Sequence, residues 1–170
     1  MRRNAIQIKN IDGNIKSIQS RSISDTDQIR YKIEKNSDSD WIFYDWINKE
    51  DKRLIVVEWF TDFLSLSQFT TNVIGLVNAK NETQIDYVKY LSKTYEIYFI
   101  PDNDDAWKVT IEKFQEKKIK FNLFKLEYYW SKDINEVLVN YWIWEEILTI
   151  IYNESERPML TQRMKHKLIM

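Results

Sequence analysis

Three short apolar runs do most to limit what this chain can fold into. LIVV (54–57), NVIGLV (72–77) and YEIYFI (95–100) are rich in β-branched and aromatic residues, and a stretch of helical spacing follows each one. Continuous apolar runs of this length fit strands buried on both faces, as in a parallel sheet. The intervening stretches are amphipathic. Residues 60–69 place Phe60, Phe63, Leu64 and Ser67 on one helical face, and 82–93 carry Ile85, Val88 and Leu91 as a stripe. Residues 104–118 put Val109, Ile111 and Phe114 inside, IKFNLFKL (119–126) alternates as a further strand, and Ile134 to Tyr152 reads as one long Trp-rich helix. The order β-α-β-α-β-α-β, closed by a helix, predicts parallel strands joined by helical crossovers.

The first fifty residues follow a different rhythm. AIQIKN (5–10) and NIKSIQS (14–20) alternate on either side of Ile11-Asp12-Gly13, a hairpin signal. QIRYKIEK (28–35) alternates again, and WIFYDW (41–46) fits a strand or a short buried helix. A small antiparallel β unit is expected here.

Composition narrows the chemistry. With 170 residues, 44% apolar and 30% charged, the chain suits one compact domain and not a disordered one. Cysteine is absent and His166 is the lone histidine, which excludes a disulfide scaffold, thiol chemistry and a zinc site built on those ligands. A net charge of −1 argues against strong bulk attraction to nucleic acid but leaves room for a local basic patch. MRRNAIQIKN lacks the apolar stretch of a signal peptide, and no run approaches the ~18 apolar residues of a membrane span. The expected setting is cytoplasmic, without membrane contact.

Acids stand where a parallel sheet builds its sites, beyond the carboxyl ends of strands. LIVV runs into Glu58, and YEIYFI into Pro101-Asp102-Asn103-Asp104. In extended chain, i and i+2 point the same way, so Asp102 and Asp104 project together. Asp62 lies one helical turn beyond Glu58, and Asp133 follows the last strand. Taken singly, each acid could be a solvated loop residue or a helix cap. Together they repel one another unless a cation sits between them. Mg²⁺ suits such a set, because one or two carboxylates plus substrate phosphates suffice to hold it.

This pattern resembles the Toprim domain shared by bacterial-type DNA primases, topoisomerases and some nucleases. The resemblance is carried by VVEWFTDFLSLSQFTTNVIGLVNA (56–79), YFIPDNDDAW (98–107) and SKDINEVL (131–138). Glu58, Asp62, Asp102, Asp104, Lys132, Asp133 and Asn135 match the family's strand-end Glu-Gly-x-x-Asp, its Asp-x-Asp and its Lys-Asp-x-Asn/Asp. The preceding residues 8–23 and 29–46 resemble the segment before Toprim in bacterial and phage primases. There Arg21 and Arg30-Tyr31 match basic motifs facing template or nucleotide. The resemblance spans about residues 5–140 and departs at two family glycines, which are Trp59 and Trp107 here.

What the resemblance implies is specific. The fold would be α/β: a Toprim-like open parallel sheet with flanking helices, preceded by the small antiparallel unit of a primase core. Residues 1–50 would be the pre-Toprim subdomain, 51–140 the Toprim domain, and 141–170 a C-terminal helix and basic tail. The activity would be synthesis of short RNA primers on single-stranded DNA from NTPs, in a phage or mobile element (so in host cytoplasm), beside a replicative helicase or other replication protein. Glu58, Asp62, Asp102, Asp104 and Asp133 would hold Mg²⁺ or Mn²⁺, with Glu58, Asp102 and Asp104 catalytic. Arg21, Arg30, Lys32 and Lys132 would contact template or triphosphate, the alternative being an ordinary solvated face. A Toprim nuclease using the same acids, or a binding protein that has lost turnover, are the competing functions. Trp59 and Trp107 would either stack on bases or pack between helix and sheet.

Overall fold

The computed structural model describes residues 3–9, 14–22, 31–33, 42–44, 46–77, 81–103, 107–126, 131–141 and 146–153. The strands are β1 (Arg3–Lys9), β2 (Ile15–Ser22), β3 (Tyr31–Ile33), β4 (Ile42–Phe43), β5 (Arg53–Val57), β6 (Val73–Leu76), β7 (Glu96–Ile100) and β8 (Phe121–Leu123). The helices are α1 (Phe60–Ser67), α2 (Glu82–Leu91), α3 (Trp107–Glu116), α4 (Ile134–Tyr141) and α5 (Ile147–Tyr152).

All eight strands join one sheet in the order β3-β2-β1-β4-β6-β5-β7-β8. The expected parallel block is present: β6, β5, β7 and β8 run parallel. The expected antiparallel unit is present as β1, β2 and β3. Residues 41–46 resolve as a strand over Ile42–Phe43, and this two-residue strand is the seam. It pairs antiparallel with β1 through Lys9 and with β6 through Leu76 and Gly75. The hairpin turn at Asp12-Gly13 lies outside the described residues.

The apolar runs behave as continuous burial requires. Side chains alternate across a strand, so Leu54 and Val56 face one core while Ile55 and Val57 face the other. Leu54 and Val56 meet Ile85, Val88 and Leu91 of α2 and Phe114 of α3. Ile55 and Val57 meet Phe63 and Leu66 of α1, Val137 and Leu138 of α4, and Ile147 and Ile150 of α5.

Four expectations need correction. In α1 the buried face is Asp62, Phe63, Ser65 and Leu66, whereas Leu64 is 46% exposed. Apolarity alone chose the wrong side, because the inward face also has to deliver two polar residues. In α3, Thr110 and Phe114 are buried, and Val109 and Ile111 only partly so. The strand expected over 119–126 is only Phe121–Leu123. The long C-terminal helix is described as two, α4 and α5, with 142–145, including Trp142 and Trp144, outside the described residues. The buried Ile147, Ile150 and Ile151 of α5 do pack against the sheet.

The topology sets the site. From β5 the chain moves to β6 on one side, then crosses back to β7 on the other. The helices that follow β5 and β7, α1 and α3, lie on opposite faces. Between two such strands the loops part, leaving the crevice at which open α/β sheets bind ligands. Glu58 and Asp102 stand at its two lips, one just past β5 and the other just past β7.

Candidate active site

Glu58 is half-buried and held at both oxygens. Its Oε2 accepts from the backbone N–H of Asp102 at 3.2 Å, and its Oε1 accepts from the Thr110 hydroxyl at 3.0 Å. It thereby spans from the end of β5 to the end of β7 and onto α3. Trp59, in the family's glycine position, is the residue before α1 and has φ −130° and ψ 158°. That is ordinary extended backbone, so the strand-to-helix turn forms without glycine. The residue is 37% exposed, not fully closed between helix and sheet.

Asp62, in the first turn of α1, is 2% exposed. Its carboxyl is hydrogen-bonded to that of Asp102, and its Oδ1 also accepts from the Asn135 N–H at 3.4 Å. Burial pushes the Asp62 carboxyl up to about 8, and the charges of Asp102 and Asp133 push the same way. The Asn135 amide works against them, while the hydrogen bond with Asp102 adds to the rise. A hydrogen bond between two carboxyls requires a shared proton.

Asp133 caps α4. Its Oδ1 accepts from Glu136 N–H at 2.7 Å, and the Glu136 carboxylate accepts in return from Lys132 N–H. This is close to a capping box, displaced by one residue. Asn103 ties the two acidic loops together: its N–H donates to the Lys132 carbonyl at 2.7 Å and its side-chain amide to the Ser131 carbonyl at 3.3 Å. The Ser65 hydroxyl donates to Asn135 Oδ1 at 2.7 Å, linking α1 to α4. Trp107 opens α3 half-buried, beside a shallow pocket shared with Pro101, Asp102, Leu123 and Lys125.

The structure therefore brings Glu58, Asp62, Asp102 and Asp133 to one end of the sheet. Asp104 lies outside the described residues. Lys132 is exposed at the rim of this cluster. Lys32 is exposed on β3, at the far edge of the sheet and separated from β5 by four strands. Arg21 pairs with Tyr31 in the backbone ladder, and Arg30 is outside the described residues. Sequence reasoning missed Thr110 and Ser65. The signal for Thr110 was its place four residues before Phe114, on the buried face of α3.

No ready-made cage is formed: among the described residues no three acids are grouped closely enough to hold a metal ion. The donor set still fits a hard divalent cation. It offers only oxygen, and ionising both members of the Asp62–Asp102 pair would crowd like charge that a cation relieves. Mg²⁺ needs only one or two carboxylates from the protein, with water and phosphate completing its shell.

No protein-family model and no curated protein matches the chain. Solved structures do. The fold is that of the Toprim-containing catalytic core of DnaG-type primases. The zinc-binding and RNA polymerase domains of the Aquifex aeolicus primase match 89% of this chain with a TM-score of 0.65 at 20% identity. A bacteriophage T7 assembly, of a lagging-strand DNA polymerase with primase domains of two gp4 subunits bound to an RNA/DNA hybrid and dTTP, matches equally well. There too the TM-score is 0.65 at 20% identity over 89% of the chain. The RNA polymerase domain of Mycobacterium tuberculosis primase matches 81% of this chain with a TM-score of 0.62 at 16% identity. The chain spans 40% of the Aquifex chain, 77% of the T7 chain and 51% of the Mycobacterium chain. Among the described residues no helix is long and apolar enough to cross a membrane.

Proposed function

We propose that this chain is a primase-like nucleotidyltransferase that makes short RNA primers on single-stranded DNA from NTPs. The observation that supports the reading is the placement of Glu58, against the Asp102 backbone, and of the Asp62–Asp102 pair at the crevice between β5 and β7, within a primase-core fold. The reaction joins the 3′-hydroxyl of one nucleotide to the α-phosphate of the next. The P–O bond to pyrophosphate breaks, and the hydroxyl proton passes to a base. Mg²⁺ or Mn²⁺, when bound, activates the hydroxyl and neutralises phosphate charge.

Asp102 and Asp104 would be the principal ligands, and Asp62 joins them through its hydrogen bond to Asp102. Glu58 serves as a ligand or as the general base, oriented by two donors. Asp133 adds negative charge from the cap of α4 and orients bound water. Lys132 at the rim would meet triphosphate. Lys32, on the β1–β3 half of the sheet, would contact template, as would Arg21 and Arg30, with residues 51–140 carrying the chemistry. A replicative helicase or other replication protein is the proposed neighbour in the cell, consistent with a phage or mobile element.

The test is dinucleotide synthesis on single-stranded DNA with Mg²⁺ or Mn²⁺, run beside a nuclease assay. Primer products with the natural chain, and their loss by at least about 100-fold in Asp102→Ala, are expected. Cleavage without primers would replace this reading with a Toprim nuclease. DNA binding with neither activity would replace it with a binding protein. Primer synthesis undiminished in Asp102→Ala would remove the assignment of the site.

A further inference from the structure

Trp107 stands where the family has glycine, and the chemistry so far has no use for it. Glycine offers a ligand no side chain, whereas an indole is a broad apolar plate. Trp107 is the half-buried first residue of α3 and lines a shallow pocket just past the end of β7. Buried Pro101 and Leu126 and half-buried Leu123 give that pocket apolar walls. Among the described residues its charged members are Asp102 and the exposed Lys125. Apolar walls with a few polar groups are the usual make-up of a small-molecule site.

Shape and charge together narrow the ligand. A shallow apolar pocket receives one face of a flat ring and does not enclose a ligand. Lys125 adds a cation suited to phosphate as a point charge. Asp102 alone would repel phosphate, but a divalent cation held at that carboxylate reverses the sign. A flat ring joined to phosphate is a nucleotide. We propose that this pocket is the base subsite for a nucleoside triphosphate: the base stacks on the Trp107 indole, Lys125 meets phosphate, and the phosphates run toward Asp102. Every base has a π-face, so a stack of this kind accepts all four bases and leaves the choice to the template. The inference rests on the nucleotidyltransferase reading of the site, and goes beyond it by giving the base a platform on α3.

The experiment measures binding of ATP and of ribose 5-triphosphate to the full chain, in Mg²⁺, by isothermal titration calorimetry. Ribose 5-triphosphate carries the sugar and the charge but no base. Stacking on an aromatic side chain strengthens binding by about 5–150-fold per base. The natural chain should therefore bind ATP at least about fivefold more tightly than ribose 5-triphosphate. Trp107→Leu, which stays apolar but has no π-face, should remove that margin and leave ribose 5-triphosphate binding unchanged. Trp107→Phe should keep most of the margin. Lys125→Ala should weaken both ligands alike, because the lysine meets phosphate.

Equal weakening of both ligands in Trp107→Leu overturns the inference, as does undiminished ATP binding in that variant or unchanged binding of both ligands in Lys125→Ala. If Trp107→Leu does not fold, the natural chain and Trp107→Phe decide. A margin for ATP in both supports the subsite, and equal affinity for the two ligands overturns it. Loss of affinity for a single-stranded oligodeoxythymidylate in Trp107→Leu, with ATP binding intact, shows a site for a DNA base and also overturns it. Primer synthesis is measured separately. A chain that makes no primer yet shows the binding pattern above refutes the primase reading and keeps the subsite. A chain that makes primers but binds ATP and ribose 5-triphosphate equally keeps the reading and loses the subsite. A natural chain that binds neither ligand at millimolar concentration overturns the inference.

Discussion

Asp62 is the residue at which fold and site pull hardest against each other. It is buried, it faces Asp102 and Asp133, and its carboxyl sits at about 8. An unfolded aspartate releases its proton near pH 4. Between those values the native chain binds a proton that the unfolded chain has lost, so stability falls as pH rises. Its contribution is fully present below about pH 4 and gone above about pH 8. In metal-free urea melts, the natural chain should therefore lose at least about 1 kcal/mol between pH 5 and pH 8 relative to Asp62→Asn. Asp62→Asn should also be the more stable of the two at pH 8. A natural chain and variant with parallel pH profiles would show that the carboxyl is not strained. That Glu58, Asp62 and Asp102 share one end of the sheet was legible in the sequence, because Glu58 and Asp102 follow apolar runs and Asp62 lies one helical turn beyond Glu58. Thr110 was not legible. A threonine between Val109 and Ile111 looks like any helical residue until Glu58 is seen beside it.

At the scale of elements, the strands were easier to read than the helices. β5, β6 and β7 are buried on both faces, and burial of that kind admits only apolar side chains. α1 was misread because its inner face is shared between core and site. Asp62 and Ser65 point inward with Phe63 and Leu66, and Leu64 is left outside. Hydrophobic spacing has no means of registering a polar residue buried for a partner on another element. The end of α3 offers a test of local backbone chemistry. Lys118 follows the helix with φ 55°, the left-handed region that glycine adopts without a side-chain clash. Its carbonyl accepts from the Lys89 ammonium at 2.8 Å, a bond that glycine would preserve. Lys118→Gly should therefore raise the free energy of unfolding by about 0.5–1 kcal/mol, read from urea midpoints. A fall in the midpoint would show that the lysine side chain itself is holding the turn.

On the scale of the whole molecule, two halves of different strand direction depend on a very short seam. β4 contributes two residues, and Phe43 lies in register with Gly75 of β6. Phe43 packs its ring 5.0 Å from that of Phe60 and 6.4 Å from that of Phe63. A β-carbon on Gly75 would stand 3.1 Å from Phe43 and 3.1 Å from Phe63, too close for either without movement. Gly75→Ala should destabilise the chain by about 1–3 kcal/mol. Denaturant melts followed by tryptophan fluorescence would show it, and an unchanged midpoint would mean that the seam is slack. The parallel block and the antiparallel unit were both visible in the sequence as separate rhythms. Their fusion into one sheet was not, because two residues are too few to show a period.

Asn103 gives the crevice a mechanical property. By donating to the carbonyls of Ser131 and Lys132, it yokes the turn bearing Asp102 to the turn bearing Asp133. A load applied to one of these turns is borne by the other, so Asp102 and Lys132 are braced as a single jaw on the β7 side of the crevice.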